Sequence, residues 1–290
     1  MLSIVVPVHN ISGRLENLMS WVPAAIVNRV HVILVHDQSQ DTTELELNLM
    51  LKALQSEFVT KHNVNLQSPG FTRNYGLNLV STPWFSFADA DDVVRIENLL
   101  KLVNETQDSN SLVGVGAYLA IDTNSNKKEF FAPPKEDQKK LALHLASRMG
   151  LWRFVFNTDQ FLHQEFTHHR MAEDYLFLAI LLNSDSRIYV SSREIYKYFY
   201  GGEQNLTSDR SVMIQMYDVL KVIRRITPEG KLAENFRIFS LQKLSYSLLR
   251  NVRFRTLVRH LPLITLTLIS HPICAIKLFK ENIKKNGESG

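Results

Sequence analysis

A single cysteine, Cys274, is the whole thiol content of these 290 residues. That excludes an internal disulfide framework and fits a reducing compartment. No uninterrupted apolar stretch reaches the roughly 20 residues that a membrane-spanning helix requires. The opening residues, Met1 to Asn10, carry no basic segment and break at Pro7, so they read as a first strand and not as a secretion signal. Long-period repeats and low-complexity segments are missing too, which argues against a solenoid or a disordered array. The body of the chain also lacks an excess of positive charge. Of 33 Lys and Arg residues, eight fall between Arg250 and Gly290, against two of the 29 Asp and Glu residues. The net charge of +4 is therefore a property of the tail, and a body that binds nucleic acid along a basic face is excluded.

What is present is ordinary globular composition, long enough to bury a substantial core. Apolar, β-branched runs at Leu2 to Val8, Val30 to Val35, Phe58 to Val64 and Trp84 to Ala88 read as buried strands. Between them lie stretches of helical spacing: Arg14 to Val27, kinked or ended by Pro23, a leucine-rich one opening near Asp41-Thr42, and Phe71 to Leu79. Another follows from Ile96 to Val103. The alternation predicts βαβ units, an α/β fold with a mostly parallel sheet flanked by helices. Past Asn110 the pattern changes. Strands are expected at Leu112 to Ile121, Glu129 to Phe131, Trp152 to Phe156 and Arg187 to Tyr200, with helices at Lys135 to Met149 and Glu173 to Leu182. From Ser208 onward the pattern is helical. This places one domain over residues 1–207, with halves of about 1–110 and 111–207, and a helical, basic extension over 208–290.

The stretch Trp84 to Arg95 carries the first chemical signal. An apolar strand ends abruptly in Asp89, Asp91 and Asp92. Carboxylates spaced this way can hold a hard divalent cation together with phosphate oxygens, and they also suit a plain acidic turn that caps the next helix.

Order carries more than any one motif. Ser3 to Asn10, Val32 to Thr43, Pro69 to Gly76, Phe87 to Asp92 and Glu173-Asp174 occur in succession, and together they resemble the family 2 glycosyltransferases, nucleotide-sugar-dependent enzymes of GT-A (Rossmann-like) fold. The resemblance covers roughly the first two hundred residues. It implies that Pro7, Val8, His9 and Asn10 line a nucleoside pocket, that His36 and Asp37 meet base and ribose, and that Arg73 faces the nucleotide. It implies a divalent cation, Mn2+ or Mg2+, on Asp91, with Asp89 on the ribose side or a cation-bound water and Asp92 as a further helper. Asp174 becomes the general base for an acceptor hydroxyl, supported by Glu173, and the outcome is inversion at the anomeric carbon. Each residue also has a plainer reading: a proline-ended strand, turn chemistry at Asp37, a surface Arg73, and acids favoured in the first turn of a helix.

The chain departs from the family pattern at the second motif, where His36 replaces an acid and Gln38 a glycine. Neutral histidine can accept a hydrogen bond from uracil, so a UDP-sugar donor stays the expectation. The Gln-x-x-Arg-Trp element of processive synthases is missing, which favours a single hexosyl or N-acetylhexosaminyl transfer. A Gly-rich pyrophosphorylase loop is missing as well. His168-His169 precedes the Glu173-Asp174 pair, and Trp152 suits either sugar stacking or the core.

Residues 250–285 combine an apolar run broken by Pro262, His271 and Pro272 with flanking bases. They suit either a helix lying on an anionic membrane surface or a cap packed on the body or on a second copy of the chain. The function expected is transfer of one sugar to a saccharide or lipid-linked acceptor in cell-surface polysaccharide assembly, in the cytoplasm or peripheral on the inner membrane face. The alternative is a scaffold subunit that keeps the fold and not the catalysis.

Overall fold

The computed structural model describes residues 1–167, 169, 172–183, 187–201 and 215–251. The chain divides into two compact units, one of Met1–Pro133, Gly150–His168 and Ser186–Glu203, the other of Pro134–Met149, His169–Asp185 and Gln204–Gly290. The boundary expected near residue 207 and the tail beyond Asn251, Cys274 included, lie outside the described residues.

In the first unit, β1 (Leu2–Val8), β2 (His31–Asp37), β3 (Val59–Val64) and β4 (Trp84–Phe87) pair in parallel, in the spatial order β3-β2-β1-β4. Every residue of β4 and nearly every residue of β1 and β2 is buried, as a sheet covered on both faces requires. The connections run through α1 (Leu15–Val27), α2 (Thr43–Leu54) and α3 (Pro69–Leu77). Leu18, Trp21, Val22 and Ala25 of α1 enter the same core cluster as Ile4, Val6, Val32 and Leu34, each large side chain contributing about 1.5–3 kcal/mol by burial. That packing explains why α1 runs on through Pro23, where a kink or an end was expected. Pro23 lies on the exposed face, and the buried residues on either side hold the flanking turns despite the missing donor. α3 starts where Pro69 fills the first turn and the Ser68 hydroxyl accepts the Phe71 amide, a proline-plus-cap start.

Beyond β4 the sheet becomes mixed. It continues with β5 (Val93–Val94), β6 (Val113–Asp122), β7 (Lys128–Phe131), β8 (Phe154–Asn157) and β9 (Ile188–Tyr200), α4 (Ile96–Asp108) intervening. β8 bridges β4 and β6 antiparallel to both, β6 and β9 run parallel, and β5 and β7 add antiparallel partners. Antiparallel neighbours need only a short turn, and the polar turn after Asp122 supplies one: the Asp122 carboxylate accepts the amides of Asn124 and Ser125. Two-residue β5 was not expected, being too short for any periodicity to register.

The second unit is helical among its described residues, with helices Gln138–Ser147, Glu173–Asn183, Gln215–Arg225 and Lys231–Asn251. The longest packs on the other three and buries Phe236, Phe239 and Leu244. Among the described residues no helix is long and apolar enough to cross a membrane.

Candidate active site

Ligands of open α/β sheets bind outside the carboxyl ends of the parallel strands, and β1, β2 and β4 deliver three sequence motifs to that edge. The β1 segment leaves the strand at His9 and Asn10. His9 Nδ1 donates to the Asp37 carbonyl at 2.6 Å, and His9 Nε2 accepts from Asn10 Nδ2 at 3.1 Å. Asn10 takes a left-handed backbone, φ 49°, which asparagine tolerates better than most residues. Its amide donates to Ser39 Oγ and its Oδ1 accepts the Gln40 amide. Deeper along the loop, Ile11 N donates to Thr43 Oγ1 and Ser12 N to Asp41. Glu46 accepts from the Ser12 and Thr42 hydroxyls and the Gly13 amide, bonds that hold its carboxyl below the usual value of 4.5. The first turn of α2 thus organises the loop that follows β1.

The β2 end is a scaffold. His36 is 2% exposed. Its Nε2 accepts the Ser39 amide and meets Ser39 Oγ at 2.9 Å, which leaves Nδ1 to donate to Asn63 Oδ1 at 3.2 Å. Both ring nitrogens have protein partners. Asp37, 5% exposed, accepts the Leu66 amide at 2.7 Å, the Ser68 amide at 3.3 Å and Thr72 Oγ1 at 3.0 Å. It fastens the turn into α3 to the end of β2. Gln38 occupies the left-handed region, φ 27°, at the position where the family pattern has glycine.

The acidic turn after β4 is gripped from three sides. Asp89 and Asp91 keep about a third of their side-chain surface exposed, and each meets an arginine: Arg73 Nη2 lies 3.4 Å from Asp89 Oδ1, and Arg14 Nη1 lies 2.8 Å from Asp91 Oδ2. Arg73 also lies over the Phe166 ring, 5.6 Å from its centroid. Beside it Asn74 holds Phe166 by two bonds, Nδ2 to the carbonyl and Oδ1 from the amide. On the other side α1 supplies Asn17 Nδ2 to the Asp91 carbonyl and Trp21 Nε1 to the Asp92 carbonyl. Tyr196 Oη accepts the Asp89 amide from β9. Asp92, unlike the exposed pair, is buried: it is 1% exposed and its Oδ1 accepts the Phe199 amide. Burial and the neighbouring charges of Asp89 and Asp91 push its carboxyl well above the usual range.

Asp89 and Asp91 present hard oxygen donors at a strand end, and among the described residues no cluster of three or more His, Cys, Asp or Glu surrounds them. The set fits a small divalent cation held by one or two carboxylates and completed by phosphate and water oxygens. Glu173 and Asp174 belong to the second unit and open the helix there, with Asp174 Oδ1 accepting the Tyr175 amide. Directly ahead, Ala172 has φ 66°, a strained conformation of the kind that gathers at functional sites. His169 is buried, and His168, Arg170 and Met171 lie outside the described residues. Trp152 is core: it stacks on Tyr196 at 4.3 Å and on Tyr198 at 5.4 Å. Arg14, Asn17 and Trp21 were not anticipated in the site. The signal that points to them is Asn17 and Trp21 four residues apart on one face of α1, with Arg14 just ahead of the helix.

The family model for glycosyl transferase family 2 matches residues 3–161, more than half of the chain. An uncharacterized glycosyltransferase of Rickettsia conorii is 24% identical over 136 residues, 46% of this chain and 22% of that protein, so the chain spans about a fifth of that relative's length. Among solved structures, Staphylococcus aureus TarS 1–349 superposes with a TM-score of 0.64 at 18% identity, covering 86% of this chain and 73% of that one. The same protein is also known in complex with UDP-GlcNAc. A mannosyltransferase from Pyrobaculum calidifontis, in complex with GDP-Man and Mn2+, reaches 0.58 at 11% identity over 100% of this chain and 88% of that one. At these identities the likeness shows the fold.

Proposed function

The chain belongs to glycosyl transferase family 2, and on that premise we propose that it moves one sugar from a nucleoside-diphosphate sugar, a UDP-sugar first among them, to a saccharide or lipid-linked saccharide acceptor, with inversion and with a divalent cation. The observation that carries this reading is the exposed Asp89–Asp91 pair, flanked by Arg73 and Arg14, at the same sheet edge as the His9–Asn10 loop.

In this reading Pro7, Val8, His9 and Asn10 shape the nucleoside pocket, and Arg73 stacks on or forks onto the nucleotide. Asp91 and Asp89 hold Mn2+ or Mg2+, with Asp89 also toward the ribose. When bound, that cation supplies charge stabilisation for the departing diphosphate. Asp37 accepts three donors out of the roughly four that a carboxylate can take, so it retains one acceptor position for the nucleoside. His36 has no ring nitrogen left over and acts on the base only by shaping Ser39. Asp174 removes the acceptor hydroxyl proton as attack proceeds, with Glu173 beside it. Cell-surface polysaccharide assembly at the inner membrane face is the setting that a lipid-linked acceptor implies.

The test is donor turnover with Mn2+ across UDP-, GDP- and dTDP-sugars, run alongside Asp174→Asn. Turnover of a UDP-sugar is expected, and Asp174→Asn lowers transfer by about 10²–10⁴-fold with UDP affinity unchanged within twofold. Loss of UDP binding in that variant removes the base assignment. His36 in place of an acid favours the scaffold alternative, and absence of turnover with every donor, combined with tight binding of a partner protein, establishes it.

A further inference from the structure

The Arg14–Asp91 pair joins two segments that the proposed donor site uses separately. While Nη1 holds Asp91 Oδ2 at 2.8 Å, Nη2 donates to the Asn10 carbonyl at 3.0 Å. One guanidinium therefore bridges the β1 loop, on the nucleoside side, and the carboxylate on the cation side. The pair is about a third exposed, with side-chain exposures of 38% for Arg14 and 33% for Asp91. Arg14 stands just ahead of α1 without a side-chain cap role, and Asn17 and Trp21 hold the acidic turn through its backbone carbonyls, independently of Arg14. Arg14 can leave Asp91 without the turn losing its support.

A cation on Asp91 and the guanidinium on Asp91 repel each other and compete for one oxygen. A diphosphate arriving with the cation changes that balance, because its oxygens offer guanidinium the same forked geometry a carboxylate does. We infer that Arg14 is an exchange residue of the donor site: it neutralises Asp91 before the donor binds, yields Asp91 to the cation, and moves onto the diphosphate. Arg14 thereby couples the two ligands. It lowers affinity for the cation alone and raises affinity for the nucleotide once the cation is present, and the coupling is reciprocal. The inference rests on the donor-site reading above.

Calorimetric titration of the full chain with Mn2+ alone, UDP alone, and each in the presence of the other separates the two ideas. A partly exposed charge pair corresponds to a factor of about two to five in affinity. Arg14→Gln is expected to bind Mn2+ alone about two- to fivefold more tightly than the natural chain, and UDP in the presence of Mn2+ more weakly by a similar factor. The mutual enhancement of the two ligands then shrinks. Arg14→Lys, a point charge without the fork, keeps natural Mn2+ affinity and shows intermediate UDP affinity. Equal Mn2+ affinity in the natural chain and Arg14→Gln, or a parallel loss for both ligands, overturns the exchange role and leaves the donor site standing. If the natural chain binds Mn2+ neither alone nor with UDP, the cation reading fails and the exchange role fails with it.

Discussion

Replacing Gly76 by alanine should destabilise a helix that alanine would ordinarily strengthen. In an open helix the exchange stabilises by about 0.8–1 kcal/mol. Gly76, however, sits where α3 meets the sheet: a Cβ there would lie 2.3 Å from Val5 Cγ1 and 3.2 Å from Val35 Cγ2. Carbon atoms prefer about 3.5–4.0 Å, so more than an ångström must be recovered. Val5 cannot supply it. It is fully buried and paired on both sides, with Ile33 of β2 and Phe87 of β4. α3 must lift instead, at an overpacking cost of about 1–3 kcal/mol, for a net loss of up to about 2 kcal/mol. In melting temperature that is up to about 8 °C for a unit of this size. Because α3 carries Arg73 and Asn74, UDP affinity should fall with it. Urea denaturation gives the stability and calorimetry the affinity. In a Val5→Ala background the obstructing methyl is gone, and Gly76→Ala should become neutral or stabilising, a coupling of about 2 kcal/mol. A higher urea midpoint for Gly76→Ala in the natural background, or an effect that Val5→Ala leaves unchanged, refutes the close-approach argument.

Asp37→Ala strands the amides of Leu66 and Ser68, while the Thr72 hydroxyl keeps the Ser68 carbonyl, and should cost about 2–3 kcal/mol, with hydrogen exchange at Leu66 and Ser68 accelerating ahead of β3. Gln38→Gly relieves a left-handed glutamine worth about 1–2 kcal/mol, less about 0.5–1 kcal/mol for glycine's added chain entropy; a small rise in urea midpoint is expected, and a fall contradicts the strain. Glu46 is lowered in the folded state by the Ser12 and Thr42 hydroxyls and the Gly13 amide, so its contribution is complete above its unfolded value near 4.5 and is lost as pH falls through the lower folded value. Glu46→Gln should therefore flatten the loss of stability as pH falls below its unfolded value near 4.5, visible in urea midpoints measured on the acid side. Asp91→Asn is expected to lower Mn2+-dependent donor turnover by about 10²–10³-fold while the melting temperature moves by less than about 2 °C; a large stability loss instead makes Asp91 a structural residue.

Much of the parallel part of the sheet was legible because β1, β2 and β4 are buried on both faces. A continuous β-branched run such as Leu2–Val8 has few alternatives to a central parallel strand, and Ser68-Pro69 announces α3 by local chemistry alone. Pro23 misled because local propensity yields to packing when the flanking residues are buried. The burial of Asp92 was not legible for a related reason: nothing local says that its side chain meets the Phe199 amide, 107 residues away. The protein partners of His36 and Asp37 in the β3–α3 segment were not legible, since they lie 27 to 35 residues away.

The sequence by itself determined which chemistry the chain carries and at which strand ends it emerges, since burial patterns and turn residues act over a few positions. It set a mostly parallel sheet core, the family, and the acids at Asp89 and Asp91, while the order β3-β2-β1-β4 came with the tertiary structure. Tertiary structure alone decided how those acids are shared out: Asp91 to Arg14, Asp89 to Arg73, Asp92 to the backbone of β9. The reason is physical. Where a carboxylate points, and whether it keeps its charge, depends on desolvation and on donors brought from 16 to 107 residues away, and no local pattern encodes those distances.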